Sequence, residues 1–565
     1  MADQASASGA GAVSGASSSP EPKFGIRSDA ASGVVDVVVI GGGVAGLVAA
    51  RQLAHLGSTV TVIEARDAVG GFVATREIAG VRLDSGAESF ATRKGTVAAL
   101  VTELGLGDDI VTPNPAGAWV AWDGGTAPLP ASGVLGIPGV PLADDVRRII
   151  GWGGSLRAYL DRLMPLLRVR AETDLGDIVR RRMGRRVLDR LVTPVVAGVH
   201  SADPSVVDVH TVAPGLTQAM TTQGSLSGAV MALREQAPAG SQVQGIAGGV
   251  YRLIDALEAD CRYYGVQFRT GTRVSAVSRA SDGEGRDGDW TIELGPADAE
   301  ADVEGDADAA ADAEFTLVAR AVVVATGFRS GLALLAEAGV GRPVDAGASL
   351  GATARAATAT PDGTAALPPA SDWPEPASVI IATLVVDDAR LDAHPRGTGV
   401  LVAPGTPGVA AKALTHSSAK WRWLADSLPV HRHVLRLSYG RRGPDARPAT
   451  SGARASVPAA PGASAPAVDL ATVLADASTL LGVPLSEADV AGFDTTIWAE
   501  SLAFATVGHK ARVRQTLAAV ELVPGLDVVG AWVSGTGLAA TVEHARTTAS
   551  GLAAELRGDR RLDLD

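Results

Sequence analysis

The chain has 565 residues, enough for two or more domains, and its 46% apolar and 20% charged residues are typical of a globular protein. Its 49 basic and 62 acidic residues give a net charge of −13, which argues against a nucleic-acid partner because phosphate binding requires a basic surface. The single cysteine, Cys261, excludes an internal disulfide framework and a multi-cysteine metal site and fits a reducing cytoplasm.

The chain opens with small polar residues, and 1–33 is predicted to be a disordered tail. The first 30 residues hold no apolar core of the kind that a signal peptide carries. The most apolar run, VVDVVVIGGGVAGLVAA at 34–50, is too short and too rich in glycine for a membrane span. We therefore expect a cytoplasmic protein without an integral membrane segment, with peripheral membrane contact left open.

A βαβ unit begins at this apolar run. Residues 35–40 (VDVVVI) predict a buried strand, the helix LVAARQLAHLG ends at Gly57, and STVTVIEA at 58–65 predicts the next strand. Between the first strand and the helix, Gly41, Gly43 and Gly46 match G-x-G-x-x-G, whose glycines allow a tight turn, close approach of a pyrophosphate and helix packing.

An acidic residue completes the nucleotide pattern. Glu64 ends the second strand, 18 residues after Gly46, where a carboxylate can accept a hydrogen bond from a ribose hydroxyl. The pattern predicts a dinucleotide site but does not separate FAD from NAD.

The rest of the chain alternates between helical and strand patterns. Residues 141–235 indicate a separate, mostly helical segment, and 248–265 an amphipathic helix followed by the strands of VQFRTGTRVSAVSR. The run FTLVARAVVVATG at 315–327 predicts a pair of strands, and VIIATLVV, GVLVAP and HVLRLSYG predict a second sheet. Two low-complexity stretches, the acidic 296–313 and the Pro/Ala/Ser-rich 441–468, are predicted to be disordered insertions.

Two further motifs favour FAD. The sequence EARDAVGGFVAT, which begins at Glu64, resembles the extended signature of FAD-binding amine-oxidase-like flavoproteins, in which paired glycines touch the pyrophosphate. VVVATG at 322–327 resembles the second FAD motif of the same group, although a plain core strand that ends in a glycine turn explains it equally well.

Four blocks narrow the resemblance to the oxygen-dependent protoporphyrinogen/coproporphyrinogen oxidase family. They are LDSGAESFATRKGTVAALVTELGL (83–106), PLPASGVLGIPG (128–139), DLGDIVRRRMGRRVLDRLVTPVVAGVHSADP (174–204) and IWAESLAFATVGHKARV (497–513). The four blocks occur in the same order as in the family. The most specific feature is GHK after W-x-E-S, within the fourth block.

The resemblance implies an α/β fold: a Rossmann-like FAD-binding domain of the amine-oxidase-like flavoprotein type, a mixed-sheet substrate domain and a mostly α-helical subdomain. The corresponding boundaries are the tail at 1–33, FAD-binding parts at 34–110, 241–345 and 488–565, a substrate and helical region at 111–240, and a substrate domain at 346–487.

The resemblance also implies noncovalent FAD. GAWVSGTGL, which begins at Gly530, resembles the family's final loop, where the start of a helix faces the flavin and favours the negative charge of its reduced form. The implied FAD contacts are Gly41, Gly42, Gly43, Val44, Ala45, Gly46, Glu64, Ala65, Gly71, Gly86, Ala87, Glu88, Ser89, Val274, Trp498, Thr536, Gly537 and Leu538. Phe72, Ala499, Ala503, Phe504 and Ala539 depart from the family's usual residues.

The family oxidises a porphyrinogen to a porphyrin, passing electrons through flavin N5 to oxygen to give hydrogen peroxide. The resemblance implies a porphyrinogen substrate, molecular oxygen and contact with the next enzyme of the haem pathway. No side chain is expected to be catalytic and no metal is expected; His200, His509 and His544 are interpreted as structural.

Two cations are candidates for a clamp on the substrate's propionates. Arg93 and Lys94 follow the predicted FAD-contacting segment, although a solvated helix start explains them equally well. The arginines at 180–182 and 185–186 are interpreted as a solvated helix face.

Several alternatives stay open. They are an amine oxidase, a carotenoid-desaturase-like flavoenzyme and a non-catalytic carrier on the same fold, although carriers tend to have a degraded cofactor loop and this one is intact. Within the favoured family, a chain in which we expect no membrane-anchoring segment resembles the bacterial branch, which forms coproporphyrin III from coproporphyrinogen III. Protoporphyrinogen IX is the alternative substrate.

Overall fold

The computed structural model describes residues 34–164, 174–200, 202–236, 243–280, 288–296, 315–341, 366–374, 377–440, 468–501, 506–535 and 537–562. The predicted tail at 1–33 and almost all of the two predicted insertions at 296–313 and 441–468 lie outside these residues.

The strands of the described residues are β1 Val34–Ile40, β2 Val60–Ile63, β3 Thr75–Ile78, β4 Val81–Asp84, β5 Phe90–Ala91, β6 Ile110–Val111, β7 Trp119–Trp122, β8 Gly125–Pro128, β9 Gly133–Val134, β10 Ile137–Pro138, β11 Val243–Ile246, β12 Gln267–Arg269, β13 Thr272–Arg279, β14 Trp290–Pro296, β15 Phe315–Val324, β16 Ala377–Asp387, β17 Gly399–Val402, β18 Ala413–His416, β19 Arg432–Tyr439, β20 Val490–Ser501 and β21 Leu526–Val528.

The helices of the same residues are α1 Val44–His55, α2 Thr96–Glu103, α3 Asp144–Tyr159, α4 Leu175–Met183, α5 Arg185–Val187, α6 Thr193–His200, α7 Val209–Val212, α8 Leu216–Gln223, α9 Leu226–Gln236, α10 Arg252–Tyr263, α11 Phe328–Glu337, α12 Ser417–Lys420, α13 Arg422–Ser427, α14 Leu470–Leu481, α15 His509–Val520, α16 Ala531–Ser534 and α17 Leu538–Leu562.

The first large sheet is parallel at its centre. Strands β12, β2, β1, β15 and β21 lie side by side in parallel, and β14 and β13 continue the sheet in antiparallel pairing. The run at 315–327, predicted to be two strands, forms the single strand β15, so that prediction was wrong. One strand suffices because its first half pairs with β14 and its second half with β1 and β21.

The glycine turn after β1 fixes the position of α1. A Cβ added to Gly46 would lie 1.9 Å from the Gly41 carbonyl oxygen, so only glycine lets the helix approach the turn this closely. Gly41 itself has a φ of 111°, a left-handed conformation that favours glycine. The first turn of α1 therefore lies directly against the end of β1.

Helix α1 is the centre of the core on one face of this sheet. Its buried Leu47 and Leu53 belong to one apolar cluster with Leu257 of α10 and with Val542 and Ala545 of α17. Helix α17 therefore packs against α1, so elements from the two ends of the described chain share one core.

The second large sheet has the order β20-β16-β19-β18-β17-β7-β8, antiparallel except where β17 meets β7. It contains the strands predicted from VIIATLVV, GVLVAP and HVLRLSYG, which confirms that part of the sequence interpretation. Strand β20 at Val490–Ser501 pairs here with β16, although the sequence analysis places 488–565 in the FAD-binding domain.

Helices α3 to α9 form the helical region that the sequence predicts for 141–235. They have a core of their own, which includes Ile150, Leu175, Leu191 and Leu226, each fully buried. Strands β7 and β8 contribute Val120 and other residues to this core, which joins the helices to one end of the second sheet.

Replacing Gly46 by alanine should destabilise the fold, because the added methyl group meets a backbone carbonyl that cannot rotate away. We expect Gly46→Ala to lower the free energy of unfolding by at least about 2 kcal/mol in urea titrations. The matched control is Gly551→Ala in α17, where a Cβ meets no atom within 4 Å. Because alanine has the higher helix propensity, this change should raise the free energy of unfolding by about 0.5–1 kcal/mol. Equal stability of the two variants would contradict the packing role of Gly46.

Candidate active site

An open cradle lies between two glycine turns at the start of α1. A Cβ on Gly43 would meet only the Gly71 Cα, 4.0 Å away, and Gly43 and Gly70 form an isolated parallel bridge. The N-terminus of α1 begins there, and the first N–H groups of a helix have no intrahelical partner. Because no side chain fills this space and the first backbone N–H groups of α1 lie beside it, the cradle fits a pyrophosphate.

Glu64 is fixed at the rim of this cradle. The Gly42 N–H donates to its Oε2 at 2.7 Å and the Arg66 N–H donates to its Oε1 at 3.0 Å. Its backbone carbonyl accepts from Thr272, two residues before Val274 on β13. Ala65 follows Glu64 directly, so the structure brings these predicted contacts to the end of β2.

A second group of predicted contacts lies around Gly86. A Cβ there would lie 2.0 Å from the Phe72 carbonyl oxygen, and the Ala87 N–H donates to the same oxygen at 3.0 Å. The buried Trp498 of β20 donates from Nε1 to the Ser85 carbonyl at 3.0 Å. Its ring lies 5.2 Å from the Phe72 ring, so the second sheet contacts the segment that follows Gly71.

Two cations that the sequence analysis missed hold Glu88 of this segment. Lys420 Nζ donates to Glu88 Oε1 at 2.5 Å, and Arg436 donates to Oε2 at 2.8 Å and to the Gly86 carbonyl at 2.6 Å. Burial by itself would raise the pKa of Glu88, but the two cations outweigh it and lower that pKa to about 2. The cluster therefore carries one carboxylate and two cations beside the Gly86 backbone.

A sequence signal for Arg436 exists. It interrupts the apolar alternation of HVLRLSYG, and a charged residue within a buried strand requires a partner. The partner could not be identified from the sequence, because Glu88 lies on a different segment, 348 residues away along the chain.

The glycine loop near the C-terminus leads into α17. Gly535 and Gly537 have φ values of 98° and 101°, and a Cβ on Gly537 would meet no atom within 4 Å. Leu538 begins α17 and packs against the same core as Val44 and Ala87. The structure thus brings Leu538 to the core of the predicted FAD domain and leaves Gly537 exposed beside it, whereas Thr536 lies outside the described residues.

The predicted substrate clamp lies at the surface. Lys94 has a φ of 60°, is 65% exposed, and its Nζ contacts both carboxylate oxygens of Glu543 in α17 at 3.1 Å. The side chain of Arg93 lies outside the described part of the chain. A role of these residues in binding propionates stays a prediction.

The histidine of the GHK block has an interior contact. The His509 ring nitrogen Nε2 donates to the Trp532 carbonyl at 2.8 Å, and burial lowers the pKa of His509 to about 4. The neighbouring GAWVSGTGL segment is thereby joined to α15. Burial also lowers the pKa of His544, and the side chain of His200 is not among those described.

Among the described residues, no group of three or more histidine, cysteine, aspartate or glutamate side chains could hold a metal ion. No described helix is both long enough and apolar enough to cross a membrane. Burial raises the pKa of Cys261 to about 12, so its thiol stays protonated and unreactive near neutral pH.

Comparison with known proteins identifies relatives along almost the whole chain. The family model for flavin containing amine oxidoreductases matches residues 44–330. The coproporphyrinogen III oxidase of Bacillus subtilis is 23% identical over 91% of this chain and 97% of its own length. The enzyme of the same name from Mycobacterium bovis is 28% identical over 89% of this chain and 94% of its own length.

Solved structures share the fold. A candidate protoporphyrinogen oxidase from Exiguobacterium sp. 255-15 has a TM-score of 0.70 and 23% identity, covering 92% of this chain and 99% of its own. Putrescine oxidase has a TM-score of 0.51 and 14% identity, covering 93% of this chain and 99% of its own. The likeness agrees with the predicted α/β flavoprotein fold with its mixed-sheet and helical parts.

Replacing Gly43 by alanine tests the cradle. Gly43 has φ −71° and ψ 176°, which alanine adopts freely, and its added Cβ meets no closer atom than the Gly71 Cα at 4.0 Å. With the cofactor removed from both proteins, we expect the free energy of unfolding of Gly43→Ala to lie within about 0.5 kcal/mol of the wild-type value. The methyl group occupies the predicted pyrophosphate space, so flavin retained through purification should fall at least tenfold by absorbance. Full flavin retention would contradict the cradle.

Replacing Glu88 by glutamine tests the buried charge cluster. Glu88→Gln leaves Lys420 and Arg436 without their carboxylate, which should cost about 3 kcal/mol of stability near neutral pH. Because the folded-state pKa of Glu88 is lowered, its contribution is present above its ordinary pKa of 4.5 and is lost as pH falls towards about 2.

Urea unfolding of both proteins across this pH range should therefore show their stabilities converging as pH falls. Glu543→Gln is the matched control, because its ion pair with Lys94 is exposed and should contribute less than about 1 kcal/mol. A pH-independent difference between wild type and Glu88→Gln would contradict the account.

Proposed function

Because the chain belongs to the family of flavin containing amine oxidoreductases, we propose that it is an FAD-dependent oxidase that converts coproporphyrinogen III to coproporphyrin III in haem biosynthesis. Relatives of that name align with about nine-tenths of the chain. The open cradle at Gly43 and Gly71 is the structural observation that supports the proposal most. Phe72 follows Gly71 directly and contacts Ala87 and Trp498.

The proposed cofactor is FAD, held without a covalent bond. The Gly41–Gly46 turn and the N-terminus of α1 would hold the pyrophosphate, and Glu64 would accept from a ribose hydroxyl in place of one of its backbone donors. The single cysteine does not favour a thioether link, because Cys261 is buried in α10 with its pKa raised to about 12.

The flavin end would lie between the Gly86 segment and the start of α17. Arg436, which with Lys420 binds the Glu88 carboxylate, donates to the Gly86 carbonyl, and Trp498 donates to that of Ser85. The N-terminus of α17 at Leu538 would place its partial positive charge where a reduced flavin is negative. Bound FAD would supply the redox chemistry, accepting a hydride from a carbon bridge of the substrate while a pyrrole N–H group releases a proton; oxygen would then take up the two electrons and two protons as hydrogen peroxide.

The protein's own part in the reaction is to bind, orient and exclude water. Oxidation of a porphyrinogen yields an aromatic ring, so we propose no nucleophile and no general base among the side chains. Arg93 and Lys94 remain the proposed partners of the propionates. For Lys94 this requires that Nζ exchange Glu543 for the substrate carboxylate, which is feasible because both side chains are exposed.

Protoporphyrinogen IX is the second candidate substrate. Protoporphyrinogen oxidase 1 of Arabidopsis thaliana chloroplasts is 34% identical over 177 residues, 30% of this chain and 31% of its own length. The longer alignments with the coproporphyrinogen enzymes favour the first substrate. A related amine oxidase stays a third alternative, on the fold alone.

We propose the cytoplasm as the place of action, because the single buried cysteine requires no oxidising compartment. The proposed partners are molecular oxygen as electron acceptor and, for product release, the next enzyme of the haem pathway.

The two porphyrinogens can be compared directly. Each is prepared without oxygen, mixed with the purified yellow protein and followed by porphyrin fluorescence when oxygen is admitted, with peroxide measured in parallel. We expect kcat/KM for coproporphyrinogen III to exceed that for protoporphyrinogen IX at least tenfold, about 1.4 kcal/mol in transition-state binding. The reverse ratio would make protoporphyrinogen IX the preferred substrate. If the flavin-loaded protein oxidises neither porphyrinogen, the proposal is overturned.

A further inference from the structure

The charges beside the Gly86 segment are largely buried. The side chains of Lys420, Arg436 and Glu88 are 18%, 9% and 14% exposed. The Glu88 carboxylate accepts from both cations and, at 3.2 Å, from the Ser417 hydroxyl. Because water and salt screen buried charges only weakly, each of them acts on neighbouring groups beyond the ion pairs themselves.

A second carboxylate belongs to the same group of charges. Asp84, at the end of β4, accepts from the backbone N–H groups of Val250 at 3.0 Å and Tyr251 at 2.9 Å. It interacts electrostatically with Arg436, with Glu88 and with the Tyr251 phenol, and burial raises its pKa to about 6. The four residues of this group, here named the Gly86 charge set, are Asp84, Glu88, Lys420 and Arg436.

Arg436 joins the Gly86 charge set to the backbone that we assign to the flavin end of the site. One of its guanidinium nitrogens donates to Glu88 at 2.8 Å and another to the Gly86 carbonyl at 2.6 Å. An atom of the Trp498 ring would lie 3.1 Å from a Cβ added to Gly86, so the second sheet closes on the segment there. If the flavin lies where the proposed function requires, the charge set is its neighbour.

The charge of a flavin changes when it is reduced. Two-electron reduction adds two electrons and one proton and leaves the ring negative, so a nearby cation stabilises the reduced form and a carboxylate destabilises it. We propose that the Gly86 charge set adjusts the reduction potential of the bound flavin, with Lys420 and Arg436 raising it and Glu88 and Asp84 lowering it. A higher potential favours hydride uptake from a porphyrinogen, and a lower one favours electron transfer to oxygen.

Two substitutions at one ion pair test this proposal. Lys420→Met and Glu88→Gln break the same contact and should both destabilise the protein, but they change the local charge in opposite directions. The potential is measured by anaerobic, dye-coupled reduction of the full-length protein with excess FAD near pH 7. We expect the equilibrium constant for reduction to fall about tenfold in Lys420→Met and to rise about tenfold in Glu88→Gln, shifts of about 30 mV each.

Two further variants are controls. Lys420→Arg keeps the positive charge and should keep the wild-type potential. Asp476 of α14 is 2% exposed and accepts from the Ala410 and Ala411 N–H groups, so Asp476→Asn removes an equally buried carboxylate from another part of the chain. It should destabilise the protein without a change in potential. Sulfite, which adds to the oxidised ring and leaves it negative, should bind more weakly to Lys420→Met and more tightly to Glu88→Gln.

Asp84→Asn gives a pH-dependent readout. At about pH 8 the Asp84 carboxylate is ionised, so its removal should raise the potential. At about pH 5, below the raised pKa of about 6, Asp84 is already protonated, and wild type and variant should agree.

Three results would overturn the proposal. They are unchanged potentials in both ion-pair variants, shifts of the two in the same direction, and a shift of similar size in Asp476→Asn. The last two would identify loss of structure as the cause. No porphyrinogen is present in these measurements, so a flavin-loaded protein that oxidises neither porphyrinogen would overturn the proposed function without deciding this test.

Discussion

The close approach of Gly46 to the Gly41 carbonyl determines where the first helix of the chain lies. It places α1 directly against the end of β1, and α10 and α17 then pack on α1 to form the largest core of the first sheet. The same turn leaves Gly43 facing Gly71 with no side chain between them. One backbone contact therefore builds both the core and the space at the helix N-terminus that is suited to a phosphate.

The packing of α17 on α1 explains why a second glycine loop is needed far from the first. Gly535 and Gly537 precede α17, and α17 packs on the helix that begins at the Gly41–Gly46 turn. On the other side, the second sheet contacts the Gly86 segment through Trp498, Arg436 and Lys420. Three distant parts of the chain thus meet around the region that we assign to one FAD.

Local patterns predicted the elements of the fold well. The β1–α1–β2 unit, the helical region and the strands of the second sheet follow from apolar periodicity and glycine placement, which depend on neighbouring residues. The single strand β15 was not predicted, because its two halves have different partners and only the assembled sheet shows that it is continuous. The pairing of β20 with β16 was missed for the same reason.

The site was predictable where a backbone requirement selects a residue type. Gly41 and Gly46 could be identified because positive φ and close backbone approach select glycine, and Gly43 because it completes the G-x-G-x-x-G pattern. The charge cluster was not predicted, because Lys420 and Arg436 reach Glu88 only through tertiary folding. The ion pair of Lys94 with Glu543 depends in the same way on where α17 lies.

A crystal structure of the protein with bound FAD would show whether the two glycine-rich segments meet around one cofactor. We expect one FAD, with pyrophosphate oxygens within hydrogen-bond distance of the Gly41–Gly46 backbone and the flavin ring beside the N-terminus of α17 at Leu538. A flavin ring that lies away from α17, or a pyrophosphate bound outside the Gly43–Gly71 cradle, would contradict this expectation.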